Sequence, residues 1–398
     1  MLDTIPSELL DAILDYLPVP SDSDLARYCL VSRALLPPAR RRLYRQLKVI
    51  LVARSHGIVR QHAWDRRGVW QPDASTLNLL ATLEAHPHLR GLPRSVAVEA
   101  QRPFTTVSSQ CPAAVNVFRR VLTLCPEVDS LEMLSPGPSA LLRSLLDDAT
   151  PRKFRHLGLV RLGDEEWELL RQQDSLSRLD LDLASRFEPT PLDPPPSLSF
   201  HLTHLTIDFP SLVGPEARAA PEQQHQAPLL FFGALLRSSF ATLRTLHLTL
   251  DIYDFPHLSS FPHLHTLHWI TGLTDPDPDA AGPFISSIST CVSLRTLSVT
   301  PFTDPVERDV VKLQPQFVSP DADGLAVALP PSLLTLTLAT PMRPAVVSAF
   351  LAALEPSSRL RRFAFKSGPP EPGGTQQSLL WFFGSQGRPK GSVGGGGG

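Results

Sequence analysis

The chain lacks most of the features that mark secreted, membrane and catalytic proteins. Its 398 residues hold four cysteines (Cys29, Cys111, Cys125 and Cys291), with no Cys-x-x-Cys pair and no regular framework. That usage predicts free thiols in a reducing compartment, the cytosol or the nucleus. The longest apolar run, near Leu229 to Leu236, is far short of the roughly 20 residues of a bilayer-spanning helix. The start, Met1-Leu2-Asp3, carries neither the basic region nor the apolar run of a signal peptide. Charge of neither sign dominates: the net charge is -2 and the pI about 6.7. No global field is therefore expected to recruit nucleic acid or an anionic membrane. The sequence has no G-x-S-x-G, no phosphate-binding glycine loop, no H-E-x-x-H and no dinucleotide fingerprint. No catalytic residue, metal ligand set or cofactor is expected.

Proline is in excess, with 41 residues concentrated after residue 180. The stretches Pro189 to Pro196, Pro210 to Pro228, Asp275 to Pro283, Pro301 to Pro320 and Pro369 to Pro372 read as loops. Residues 386–398, ending in five glycines, have nothing to bury and are expected to be a disordered tail.

Between these stretches one pattern recurs: apolar, two others, apolar, one other, apolar. It begins at Val128, Phe154, Leu176, Leu202, Leu243, Leu264, Leu294, Leu333 and Leu360. Tyr44-x-x-Leu47-x-Val49 fits ahead of these, and Leu89, Leu92, Val96 and Val98 form a looser copy. Subtracting first-anchor positions gives spacings of 26, 22, 26, 41, 21, 30, 39 and 27 residues. Alternation within each unit predicts a short strand with one buried face. The segments Ala113 to Leu124, Pro138 to Leu146, Ala227 to Leu236 and Val346 to Leu354 read as helices ahead of strands. Cys125 and Cys291 sit three residues before the anchors Val128 and Leu294, a shared register that predicts buried structural thiols.

The first segment has a different rhythm. Leu9, Leu10, Ile13, Leu14 and Leu17 fall at helical spacing, with Glu8, Asp11 and Asp15 between them. Pro6 suits the first helical position, where an amide has no partner to lose, and Pro18 stops the helix. A second segment follows through Leu30-Val31-Ser32-Arg33, and a third from Pro38 through Arg40-Arg41-Arg42-Leu43-Tyr44. Three short helices cannot bury so many large apolar groups among themselves. Some should face another protein.

The run Ile5-Pro6-x-Glu8-Leu9-Leu10-x-x-Ile13-x-x-x-Leu17, with Leu30-Val31-Ser32-Arg33 and the Arg-Arg-Arg-Leu-Tyr stretch, resembles an F-box of the type that opens many fungal proteins. The resemblance covers about the first eighth of the chain. The later repeats resemble, in degenerate form, the leucine-rich repeats that commonly follow an F-box; their period is about 20–29 residues. Together these imply an α/β chain: an F-box domain at 1–46 of three helices, an irregular leucine-rich-repeat solenoid with a curved parallel β-sheet at 47–385, and the tail. They imply a Skp-type adaptor as partner and, through it, a cullin. The adaptor-binding residues would be Ile5, Pro6, Leu9, Leu10, Ile13, Leu17, Leu30, Val31 and Leu36. The implied role is substrate recognition in an SCF-type ubiquitin ligase, without catalysis by this polypeptide. The alternative is an interaction scaffold outside a ligase.

If the leucines point inward, the residues between them share one exposed face. Asp180, Asp182 and Asp208 are candidates there for docking a basic segment of a protein substrate, against the alternative of a plainly solvated face. His247 and His268 are expected on adjacent strands and join the candidate substrate face; a metal site would need a third ligand that the sequence does not assure. No phospho-recognition arginine cluster is evident. Leu379-Leu380-Trp381-Phe382-Phe383 is expected to cover the open edge of the last repeat.

Overall fold

The computed structural model describes residues 9–10, 27, 33, 35–55, 68–101, 111–135, 137–147, 151–183, 198–208, 233, 235–249, 258–271, 288, 290–301, 329–342, 359–367, 378–383 and 389–391. The fold is α/β with a mostly parallel sheet arrangement. Two compact units divide after Ser175, Met1–Ser175 and Leu176–Gly398, a division that falls inside the stretch expected to form one solenoid.

In the first unit, helix α1 (Leu36–Arg45) runs directly into strand β1 (Gln46–Ser55). There follow β2 (Gly68–Pro72), α2 (Ala74–Ala85), β3 (Ser95–Gln101), α3 (Pro112–Leu124), β4 (Ser130–Met133), α4 (Ser139–Leu146), β5 (His156–Leu159) and α5 (Asp164–Arg171). β1, β3, β4 and β5 pair in parallel, and β2 lies antiparallel on the outer side of β1. The expected helices at 113–124 and 138–146 are α3 and α4. β2, α2 and α5 break no apolar period strongly enough to have been expected.

Helix α3 shows how the sequence makes an element. Pro112 stands in its first turn, where a missing amide matters least. Ala114, Phe118, Val121 and Leu122 follow at helical spacing and are buried. Its last carbonyls would be orphaned, and Arg152 answers them. The guanidinium donates to Leu122 O (2.7 Å), Cys125 O (2.7 Å), Pro126 O (2.9 Å) and Val128 O (3.0 Å). Two other buried polar residues act similarly. Thr76 Oγ1 accepts from Ile50 N (2.8 Å) and donates to Ile50 O (3.2 Å), fixing α2 to β1. Gln173 accepts from Phe154 N (2.8 Å) and donates to Leu169 O (3.2 Å).

The second unit holds β6 (Arg178–Asp182), β7 (His204–Asp208), β8 (Thr245–Thr249), β9 (Thr266–Thr271), β10 (Thr296–Pro301), β11 (Thr335–Met342) and β12 (Arg362–Ser367), described neighbours pairing in parallel. The anchors keep register throughout: Leu179 pairs with Leu205, then Leu246, Leu267, Leu297, Leu336 and Phe363. All seven are buried. β13 (Ser378–Phe383) adds antiparallel to β12, so the apolar stretch expected at the edge does occupy it. β14 (Pro389–Gly391) pairs antiparallel with β13, so part of the tail expected to be disordered lies in a strand instead.

Cys111, Cys125 and Cys291 are free and buried. Burial raises all three thiols, Cys291 to about 11, so at neutral pH they stay protonated and unreactive. Cys29 lies outside the described residues.

Two substitutions test this packing. Leu246→Ala should lower unfolding free energy by about 2–5 kcal/mol, the range for an emptied core leucine site. Arg152→Ala should lower it by about 2–3 kcal/mol, because charge-assisted donors are lost and carbonyls are left short of partners. Urea unfolding followed by circular dichroism measures both.

Candidate functional site

Strand alternation turns one set of side chains of the second unit away from the core, and the parallel register arranges them in rows. The middle row runs Asp180, Thr206, His247, His268, Ser298, Thr337. The row nearest the strand starts runs Arg178, His204, Thr245, Thr266, Thr296, Thr335. The third begins Asp182, Asp208, Thr249, Ile270. The expected site residues Asp180, Asp182, Asp208, His247 and His268 thus all lie on one face.

They do not act as one group. Asp180 is paired to Arg178 of its own strand at 2.8 Å. Asp182 and Asp208 are direct register partners. Burial first, and the charge of Asp182 second, push the Asp208 carboxyl above its usual range, against a hydrogen bond from Thr249. His247 and His268 are also register partners, with ring centroids 4.3 Å apart and planes at 46°. Burial holds both below the ordinary histidine range, and for His247 the neighbouring His268 adds to the effect. Among the described residues no group of three or more His, Cys, Asp or Glu could hold a metal ion.

The residue just ahead of each strand forms a further line that was not expected. Arg244, His265, Arg295, Leu334 and Arg361 stand side by side, because each amide donates to the carbonyl of the residue before it: His265 N to Arg244 O (2.8 Å), Arg295 N to His265 O (2.8 Å), Leu334 N to Arg295 O (2.8 Å) and Arg361 N to Leu334 O (2.9 Å). The signal was available. In Leu243-Arg244-Thr245-Leu246 the two positions between anchors both face outward, so the first of them marks the line as the second marks the threonine row.

The first unit has its own polar cluster on β4 and β5. Ser130 Oγ lies 2.9 Å from His156 Nδ1, and Glu132 Oε1 lies 3.7 Å from the same nitrogen. Gln46 Nε2 donates to Glu132 Oε2 (3.2 Å). Gly158 leaves room for this carboxylate; a Cβ there would meet Glu132 Cγ at 3.3 Å. A histidine that activates a serine holds the hydroxyl on one ring nitrogen and the orienting acid on the other. Here both approach Nδ1, so the cluster is a hydrogen-bonded contact and not a relay.

At the amino end, Leu9 and Leu10 are helical; Leu10 is 2% exposed and Leu9 56%. Leu36 opens α1 and is half-buried. Ile5, Pro6, Ile13, Leu17, Leu30 and Val31 lie outside the described residues. Among the described residues no helix is long and apolar enough to cross a membrane. No family model matches the chain, and a search of curated proteins gives no match.

Two predictions follow from the acid and histidine pairs. Asp208→Asn should raise the melting temperature near neutral pH, because it removes a half-buried charge that faces Asp182. The histidine pair should weaken the fold in acid: unfolded imidazoles take up protons near pH 6.5 while the folded ones resist, so stability falls as pH drops from about 7 toward 5.5. A His247→Gln/His268→Gln variant should flatten that part of a melting-temperature profile.

Proposed function

We propose that the chain is a non-catalytic substrate receptor of an SCF-type ubiquitin ligase. In this reading the first 46 residues form an F-box that binds a Skp-type adaptor and through it a cullin. The strands behind it form an irregular leucine-rich-repeat solenoid whose polar face binds a protein substrate. The observation that carries the reading is the amino-terminal motif together with Leu9, a large apolar side chain turned to solvent beside a buried Leu10. An amphipathic helix laid into a partner's groove needs such an anchor, with its neighbour sealed in the domain's own core. The in-register anchors of the second unit support the solenoid, since each strand buries its leucines against the next. Catalysis would be by proximity: the bound substrate's lysine is held at high effective concentration near the ubiquitin thioester. The polypeptide supplies no nucleophile, acid or base.

The reading is tested by Leu9→Asp in the full chain. It should weaken adaptor co-purification by roughly thirtyfold or more, the effect of losing a buried anchor, with circular dichroism unchanged because Leu9 is exposed. Unchanged adaptor binding would overturn the assignment. Recovery of the adaptor without cullin would make the chain an interaction scaffold outside a ligase.

A further inference from the structure

The line Arg244, His265, Arg295, Leu334, Arg361 is the most strongly one-signed surface in the described part of the second unit. Arg244, Arg295 and Arg361 are exposed, and none has an ion pair among the described residues. The described carboxylates of this unit, Asp180, Asp182 and Asp208, all lie on β6 and β7, and the line's five members stand just ahead of β8 to β12. Exposed His263 and Arg362 add charge of the same sign or potential for it. Burial, and then the charges of Arg295, Arg244 and His263, hold His265 below the ordinary histidine range. Cations held in a row by backbone hydrogen bonds repel one another, and no described carboxylate stands between them. An anion laid along the row relieves that repulsion.

The geometry narrows the anion. Neighbouring strands are about 4.8 Å apart, so arginines two strands apart recur at about 9.6 Å, and one three-residue turn of an extended polyproline II peptide spans about 9.3 Å and brings every third side chain back to the same face. Beside the line runs a row of short hydroxyl side chains, Thr245, Thr266, Thr296 and Thr335, able to donate to and accept from a peptide backbone. Among the described residues neither this row nor the line carries a Phe, Tyr or Trp ring on which successive nucleic-acid bases could stack. We propose that this line is the docking surface for an acidic, extended protein segment lying across the strands, with carboxylates at every third residue meeting Arg244, Arg295 and Arg361. The proposal deepens the receptor reading and rests on it only for the fate of the bound segment; binding itself needs no adaptor.

The test is fluorescence-anisotropy titration of the full chain, without adaptor, against a synthetic peptide of repeated Glu-Ser-Thr triplets. Binding should weaken with added salt, and Arg244→Glu/Arg295→Glu should reduce affinity by about tenfold or more. The milder Arg295→Gln should reduce it less, with an unchanged melting temperature excluding misfolding. Equal affinity in the double variant, no binding at all, or equal affinity for a peptide with its glutamates in one block would each overturn the proposal. Tighter binding of single-stranded RNA than of the peptide would overturn it in favour of a nucleic-acid surface. Adaptor co-purification, read separately, distinguishes the two readings: peptide failure with adaptor bound removes the line and leaves the receptor, and the reverse result removes only the receptor.

Discussion

One backbone arrangement recurs wherever a strand of the second unit meets the next. A single carbonyl accepts two consecutive amides: Thr203 O from Arg244 and Thr245, Arg244 O from His265 and Thr266, His265 O from Arg295 and Thr296, Arg295 O from Leu334 and Thr335, Leu334 O from Arg361 and Arg362. The first unit repeats it, with Arg94 O accepting from Asp129 and Ser130 and Asp129 O from Arg155 and His156. The double acceptor fixes where each strand begins against its neighbour. A shift of one residue would turn every anchor leucine to solvent. The leucines and this carbonyl therefore specify the same register by independent means.

Fixed register determines what the surface can be. Residues far apart in sequence come into contact as pairs: His247 with His268, Asp182 with Asp208, Ser130 with His156. Chemistry on such a surface is written in rows that cross the strands, each strand contributing one side chain to a row. Short hydroxyl residues fill half of the positions in these rows, which suits strand propensity and leaves the larger groups prominent. Acid collects on β6 and β7, imidazole on β8 and β9, and guanidinium along the starts of β8, β10 and β12.

The repeating strands were legible because alternation between buried and exposed positions is a local property, visible in six residues. The helices α3 and α4 were legible for the same reason. α2 and α5 were not, because polar contacts set their starts: Asp73 Oδ1 accepting from Thr76 N (2.8 Å) at one, and Glu166 accepting from both Gly163 N (3.0 Å) and Arg161 Nε (2.8 Å) at the other. β2 is an edge strand held to β1 by pairing and by buried Trp70, with no period of its own. The pairing of His247 with His268 could be anticipated because both follow a leucine anchor at the same offset. The arginine line follows from the same rule, since Arg244, Arg295 and Arg361 each stand one residue after an anchor, Leu243, Leu294 and Leu360, and the double-acceptor carbonyls set them in one row.

The irregular spacing that makes the repeat hard to recognise has little energetic consequence. Leu202 and Leu243 are 41 residues apart and Leu294 and Leu333 are 39, against 21 for Leu243 and Leu264. Loop-closure entropy grows only with the logarithm of length, so doubling a connection costs about 0.6 kcal/mol. A buried anchor leucine is worth about 2–5 kcal/mol. The anchors win, and Leu205 still pairs with Leu246 and Leu297 with Leu336 across the two longest insertions. Length can therefore drift freely between strands while register cannot. It follows that a comparison keyed to period finds little in this chain, whereas one keyed to the offset of side chains from each anchor recovers every row.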